Sequence, residues 1–324
     1  MKTAAELALE TIAVEQHGRV LTARYASPPF NFVTMAFIRD LDKLTEAVDD
    51  DDSVGAVVLI GGVEGRFLTH ADPNETGDLT TSGPMPTLSV SVLRPLWRLT
   101  RRLLSAPGAL RLAESAGPPA AQPLVWVYRW RRTILRMNRS STVYVAAING
   151  PATGGGHEIA LACDLRFVSD APHIRLGQIE SLAGLIPGGG GSQRIPRMIG
   201  TAKALEHMLE GAPLTAQQAL ELGLINAIVA DAELLTHAQQ TAARLARRSP
   251  TAVQWIKRLT YFNTSQPLGT ALDSEVPAFI TAGLQPAMKS TLEAFIADLA
   301  AYQDSPLSTG AQSWIDGTRT DQTT

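Results

Sequence analysis

The residues best placed to do chemistry lie between Asn149 and Asp164, in the stretch NGPATGGGHEIALACD. Gly154, Gly155 and Gly156 run directly into His157, Glu158 and an apolar tail. Neither phosphate cradle fits. A P-loop needs a lysine and a Ser/Thr after its last glycine, and the G-x-G-x-x-G spacing of a dinucleotide fold is absent. Three glycines cost too much backbone entropy for a simple turn. They suit a strand that delivers the chain to a helix N-terminus with bare amides exposed, where a ligand atom can approach the backbone. Such N–H groups lack internal partners and favour negative charge, which is the construction of an oxyanion hole. Glu158 then falls in the first helical turn, beside the oxygen those amides would hold.

A second constellation, LGQIESLAGLIPGGGGSQR from Leu176 to Arg194, again couples a carboxylate, Glu180, to a glycine loop. One short helix and one short strand separate the two glutamates, an out-and-back path that can return Glu180 to Glu158. Two carboxylates facing one electrophile suit general acid/base work. A third piece, GRFLTHADP from Gly65 to Pro73, follows an apolar run and can supply a second amide, since ligands of α/β sheets sit at strand carboxyl ends. His157 reads as packing or as a supporting hydrogen bond.

The elements that must position these groups are legible in outline. TIAVEQHGRVLTARY predicts two strands around a turn at His17-Gly18. Phe37, Ile38, Leu41, Leu44 and Val48 repeat at helical spacing, and the acidic run at 49–52 ends that helix. The runs 54–60 and 142–148 read as strands covered on both faces, and DLRFVS as another. Strand, helix and strand in alternation predict an α/β class. From Gly200 the chain is mostly helical. Thr215 and Gln218 form a capping box and Gly223 a stop. Leu292, Phe295, Ile296, Leu299 and Tyr302 form an apolar stripe, packed or at a subunit contact, and the polar tail from Ser308 is expected to be disordered.

Residues 77–139 differ in character. A Ser/Thr/Pro-rich opening turns basic, with ten arginines between Arg94 and Arg139 against one acid, Glu114. Two amphipathic helices are expected, parted by SAGPPAAQP. The plainest reading is a helical insertion with apolar faces inside and arginines in water. Trp97, Trp126, Tyr128 and Trp130 could instead cover a ligand pocket, and the arginines could meet anionic phosphates or an anionic membrane surface.

The chain has 324 residues and a net charge of −3, which gives no global reason to expect nucleic acid. The single cysteine, Cys163, excludes an internal disulfide and argues for a reducing compartment, with buried packing as its role. The N-terminus is broken by Glu6, Glu10 and Glu15, so neither a signal peptide nor a membrane span is expected, and a cytoplasmic protein is the default.

At its two glycine motifs the sequence resembles the crotonase superfamily, the enoyl-CoA hydratases and isomerases. The family form A-x-N-G-x-x-x-G-G-G-x-E-[LI]-A-x-x-C-D appears here as AINGPATGGGHEIALACD. The form F-G-x-P-E-x-x-x-G-[LI]-[IV]-P-G-x-G-G-[ST]-Q-R appears as LGQIESLAGLIPGGGGSQR. Weaker likeness runs from Thr11 to Asp72 and from Gly200 to Pro250. The resemblance implies an α/β fold, a spiral of ββα turns over residues 1–262 carrying the insertion at about 77–139. A helical module for trimerisation would follow at 263–307, then the tail at 308–324. It implies an acyl-CoA thioester as substrate, with coenzyme A as part of that substrate and no bound cofactor or metal. Ala71 and Gly155 would supply the oxyanion amides. Glu158 would activate water and Glu180 deliver a proton. Asp72, Gly154, Gly156, Pro187 and Gly188 would bind substrate. The implied assembly is a homotrimer or a dimer of trimers. Hydration of a 2-enoyl-CoA is the leading expectation. Double-bond isomerisation or another crotonase chemistry is the alternative; a nucleic-acid-binding or catalytically silent homologue is more remote. Two departures stand out: THAD replaces the usual AGAD, placing His70 beside an oxyanion amide, and Ile179 replaces a proline before Glu180.

Overall fold

The computed structural model describes residues 3–75, 89–118 and 121–323. Strands β1 (Ile12–His17) and β2 (Val20–Tyr25) form the expected hairpin, and helix α1 (Met35–Asp49) leads to β3 (Ala56–Gly61). The basic stretch contains α2 (Val90–Leu104), α3 (Ala109–Ala116) and α4 (Gln122–Arg139). Then come β4 (Val143–Ile148), β5 (Ala152–Thr153), α5 (Gly155–Ala162), β6 (Leu165–Ser169) and β7 (Leu176–Gly177). Helices α6 (Gly191–Ile199), α7 (Thr201–Glu210) and α8 (Ala216–Glu221) precede β8 (Ala227–Val229). Five helices follow: α9 (Leu234–Leu245), α10 (Pro250–Asn263), α11 (Leu268–Gly283), α12 (Pro286–Tyr302) and α13 (Gln312–Ile315).

Two layers of strands explain the architecture. The large sheet has the order β1-β2-β3-β4-β6-β8, parallel from β2 onward, and is apolar on both faces. The second layer is a row of short segments, one from each turn of the chain. Val33 bridges Ala71, Thr153 N donates to Thr69 O (2.7 Å), β5 pairs with β7, and Leu176 bridges Leu214. Each turn thus places one strand in the large sheet and one piece in the row, then returns through helix. This is the mixed α/β spiral that the resemblance implies, with a helical C-terminal region.

The turns pack backbone against backbone where glycine stands. A Cβ at Gly156 would lie 1.8 Å from Leu68 O, and one at Gly150 2.5 Å from Gly65 O. No side chain fits either place. Asn149 works beside them: its Oδ1 accepts from Gly61 N and its Nδ2 donates to Gly61 O, both at 3.0 Å.

Three sequence expectations need correction. The basic stretch forms three helices, because Pro107 and Gly108 (φ 75°) break the chain before the expected break. Residues 77–88, 119 and 120 of that stretch lie outside the described residues. Nor do all its arginines face water. Arg129 and Arg136 are drawn inward by the buried Asp42 of α1, at 2.7 and 2.6 Å, and Arg129 also meets Glu114. Finally, the tail expected to be disordered is placed on α12. Trp314 Nε1 donates to Asp298 (3.0 Å), Arg319 pairs with the same carboxylate (2.8 Å), and Trp314 stacks edge-on against Phe295. A polar composition concealed one tryptophan and one arginine with a common partner.

Candidate functional site

Ala71 is oriented by its neighbours. His70 O accepts from Val33 N (2.8 Å), and Asp72 N donates to Val33 O (3.1 Å). Groups alternate along an extended chain, so those of Ala71 point to the other side. There its carbonyl accepts from His70 Nδ1–H (2.8 Å), while its amide donates to no protein group among the described residues. The His70 ring also packs on Phe32, with centroids 4.7 Å apart. The departure THAD therefore leaves the amide free.

Gly155 opens α5, and its amide is one of the orphan donors of a helix start. It too has no protein acceptor among the described residues. A Cβ at Gly155 would sit 3.7 Å from Ala71 N, so the two free amides are neighbours. Gly154, at φ 50°, makes the turn into the helix; a Cβ there would stand 3.4 Å from Glu180 Oε1.

Glu158 lies in the first turn of α5, 3% exposed. Its Oε1 accepts from Gly189 N (2.7 Å) and Gly191 N (2.8 Å), leaving Oε2 without a partner among the described residues. The glycine loop 188–191 is thus a clamp for this carboxylate. Burial pushes Glu158 up to about 7. The Gly191 amide opposes that rise, the Glu180 charge adds to it, and the Gly189 amide and Arg194 pull it down. Glu180 opens a 3-10 turn, Glu180–Ala183; burial raises it as well, against bonds from its own amide and that of Ile179. Ile179 in place of proline thus supplies an N–H that proline lacks.

Behind the pair runs a buried polar relay. Gln178 lies between His157 and Glu180. With its amide nitrogen toward the carboxylate, it donates to Glu180 Oε1 (3.0 Å) and Oε2 (3.1 Å), and its oxygen accepts from His157 Nδ1–H (3.1 Å). The opposite orientation would set an amide oxygen against two carboxylate oxygens. Burial first, then His207 and Arg166, pull His157 down to about 3, so its ring is neutral, and the Gln178 oxygen selects the tautomer protonated on Nδ1. His157 has the supporting role expected of it. Gln178 was missed: it follows β7 and precedes the 3-10 turn that Glu180 opens, and no periodicity of the sequence marks it.

Trp130 of α4 closes the site. Its ring lies where side chains at Gly155 and Gly189 would be, 2.8 Å (Cη2) and 2.4 Å (Nε1) from their Cβ positions. Glu158 Oε2 is 2.5 Å from that same position at Gly189. Trp130 is 5% exposed and packs edge-on against Trp126. Of the four aromatics expected to cover a pocket, Trp130 touches the glycine loops, whereas Tyr128 joins a separate cluster with Leu104, Leu110 and Val125, which Trp97 flanks.

The remaining expected positions are distributed as follows. Asp72 Oδ1 accepts from Asn74 N (2.8 Å), turning the chain after Ala71. Gly156 meets the Leu68 carbonyl, so its missing side chain serves backbone packing. Pro187 is half-buried and Gly188 exposed, at the outer end of the Glu158 clamp. Cys163 is buried and free, its thiol pushed up to about 12 by burial.

Known proteins share this arrangement of chain. The enoyl-CoA hydratase/isomerase family pattern matches residues 127–303. YngF of Bacillus subtilis (strain 168), a protein of the enoyl-CoA hydratase/isomerase type, is 30% identical over 249 residues, 77% of this chain and 80% of its own length. The short-chain-enoyl-CoA hydratase of Clostridium acetobutylicum is 28% identical over 291 residues, 89% of this chain and 95% of its own. A crystal structure of an enoyl-CoA hydratase from Geobacillus kaustophilus HTA426 superposes with a TM-score of 0.72 at 25% identity, covering 90% of this chain and 96% of that one. Spiral, glycine loops, family pattern and relatives agree: the chain belongs to the enoyl-CoA hydratase/isomerase family, within the crotonase superfamily.

Proposed function

We propose that this chain processes acyl-CoA thioesters by adding water to a 2-enoyl-CoA, giving a 3-hydroxyacyl-CoA. The observation that carries this reading is the pair of free, adjacent amides at Ala71 and Gly155 beside two carboxylates raised toward neutrality. The thioester oxygen accepts from both amides. Water then attacks Cβ, and the enolate charge develops on that oxygen. One such donor is worth about 3 to 4 kcal/mol in the transition state.

Glu158 takes the proton of the attacking water on Oε2, since Oε1 is already held by the clamp. Glu180, oriented by Gln178, gives its proton to Cα. The substrate gains one hydroxyl and one hydrogen, Glu158 has gained a proton and Glu180 has lost one. Exchange with solvent resets the pair. A carboxyl near 7 is matched to proton transfer at neutral pH. Asp72, Gly154, Pro187 and Gly188 shape the walls around the thioester, and Gly156 contributes by letting α5 pack against the Leu68 and Thr69 carbonyls. Because Glu158 and Trp130 are almost wholly covered, the acyl group enters by displacing the indole or the 187–190 loop.

Isomerisation is the second reading, favoured by the asymmetry between a clamped, covered Glu158 and a more open Glu180. A panel of enoyl-CoA thioesters, followed by loss of conjugation absorbance, separates the two. Hydration requires both Glu158→Gln and Glu180→Gln to lose most turnover while still binding a CoA thioester. If either variant stays active, the isomerase reading replaces it. The helices α11 and α12 expose Leu272, Val276, Phe279, Leu292 and Ile296, apolar faces suited to a trimer, which light scattering tests. The lone buried Cys163 fits a reducing compartment such as the cytoplasm.

A further inference from the structure

Helix α2 presents two faces that the proposed chemistry does not use. Val92, Leu96, Leu99 and Leu103, spaced by four, three and four residues, form one row, each 42 to 60% exposed. Arg94, Arg98 and Arg101 form a second row on another face, and Arg102 lies beside the apolar one. A third face, with Trp97 and Leu104, packs on Leu110, Val125 and Tyr128 and fixes the helix to the body. The apolar row is therefore not waiting for a place in this chain's own core.

Most of the arginines of this stretch lack an acid among the described residues. Of the ten between Arg94 and Arg139, only Arg129, Arg132 and Arg136 form ion pairs among the described residues. Arg98, Arg101 and Arg102 of α2 converge with Arg131, Arg132 and Arg139 of α4 on a cleft of about 570 Å³ whose lining holds no acid. Arg131 is held below its ordinary value by burial and by the neighbouring Arg101 and Arg139 charges. Converging like charges repel, and an anion relieves them. The basic concentration contrasts with a whole-chain charge of −3.

We propose that α2 is an interfacial helix that docks this protein on an anionic lipid bilayer. Val92, Leu96, Leu99 and Leu103 enter the acyl boundary, and the arginines reach lipid phosphates. A basic amphipathic helix lying in the membrane plane has this division of faces. The helix is an anchor on the surface and not a span: no helix among the described residues is long and apolar enough to cross a membrane. Charge decides between occupants. A second copy meeting this face about a twofold axis would bring the same unpaired arginines together, whereas an anionic bilayer complements them.

The test is co-sedimentation of the full chain with vesicles of 30% phosphatidylglycerol in phosphatidylcholine, against pure phosphatidylcholine, at low and high salt. Each surface arginine contributes about a fivefold factor near such a membrane. Arg98→Gln/Arg101→Gln/Arg102→Gln should therefore weaken binding by about a hundredfold. Leu96→Ser/Leu99→Ser/Leu103→Ser should weaken it at least tenfold (order of magnitude), with thermal melting confirming that each variant folds. High salt should lower binding to the anionic vesicles. Three results would overturn the proposal: equal binding to both vesicle types, binding unchanged in both variants, or a smaller assembly by light scattering in the leucine variant. Tighter binding to a mixed-sequence oligonucleotide than to vesicles at the same salt would overturn it too.

Discussion

The indole of Trp130 occupies the space that a side chain at Gly155 would need, with Cη2 2.8 Å from the Cβ position. A residue of the basic helical stretch thus forms one wall of the amide pair and, over Gly189, one wall of the Glu158 clamp. Trp130→Ala should open the site toward bulkier acyl groups, shifting kcat/KM in favour of long or branched enoyl-CoA substrates. It should also destabilise the fold by about 3 to 5 kcal/mol, as large-to-small changes in a packed core do. Denaturant unfolding and the substrate panel measure both. An unchanged preference would remove the indole from the acyl wall.

Gly156 is the least replaceable glycine of the motif. A methyl group there meets Leu68 O at 1.8 Å and Thr69 O at 2.8 Å, both backbone atoms. Gly156→Ala must push the 68–71 segment away from α5 and separate the Ala71 amide from that of Gly155. Turnover should fall by at least about a hundredfold, the worth of one oxyanion donor. Gly184→Ala, where a Cβ meets nothing, is the control for glycine replacement in the same region, at a cost set by its φ of 70°.

Glu158 links activity and stability to pH in opposite directions. As the base it must be ionised, so the rising limb of kcat/KM should follow its titration near 7, and the profile should fall again as Glu180, the acid, loses its proton. Its folded value lies above the ordinary 4.5, so the folded state holds the proton more tightly than the unfolded chain. That stabilising contribution is full below 4.5 and is lost as pH rises through about 7. Up to about 3 kcal/mol is at stake. Glu158→Gln, whose amide oxygen can still accept from Gly189 and Gly191, should therefore gain stability relative to the parent between pH 5 and 8. Thermal melts across that range check the sign.

Gln178 acts through Glu180. Its amide donates to both carboxylate oxygens, which fixes the carboxyl and, by favouring the ionised form, makes Glu180 a stronger acid toward Cα. Gln178→Leu should raise the Glu180 titration and lower kcat about ten- to a hundredfold, with a smaller change in KM. A pH–rate profile that stayed in place, with an equal loss of stability, would reduce Gln178 to packing.

Asp42 holds the basic stretch to the body through Arg129 and Arg136, with Thr133 Oγ1 at 3.2 Å on the same carboxylate. Asp42→Ala leaves Arg129 with Glu114 alone and Arg136 with Glu46. A loss of about 1.5 to 3 kcal/mol in urea unfolding is expected, the worth of a hydrogen bond to a charged group, with a change in tryptophan fluorescence as Trp126 and Trp130 shift.

The order of the main strands and helices, and the residues gathered at the candidate site, were legible in the amino-acid sequence. Residue type and spacing decide those locally. An apolar run bounded by turns is a strand wherever it packs. Three glycines before a glutamate specify bare amides at a helix start, and the two motifs together were enough to indicate the family. Composition also marked 77–139 as foreign to the rest of the chain. It could not show that Asp42, some ninety residues earlier, would draw Arg129 and Arg136 inward, nor that Trp314 and Arg319 would settle the tail on Asp298. Which amides stay unpaired among the described residues depended on contacts through space, because Val33 takes the groups on either side of Ala71. The tertiary structure alone clamped Glu158 with the Gly189 and Gly191 amides, set Gln178 behind Glu180 and wedged Trp130 over the glycines. Each of these is a contact between distant parts of the chain. Hydrogen bonding and close packing are satisfied through space, and neither leaves a periodicity in the sequence to read.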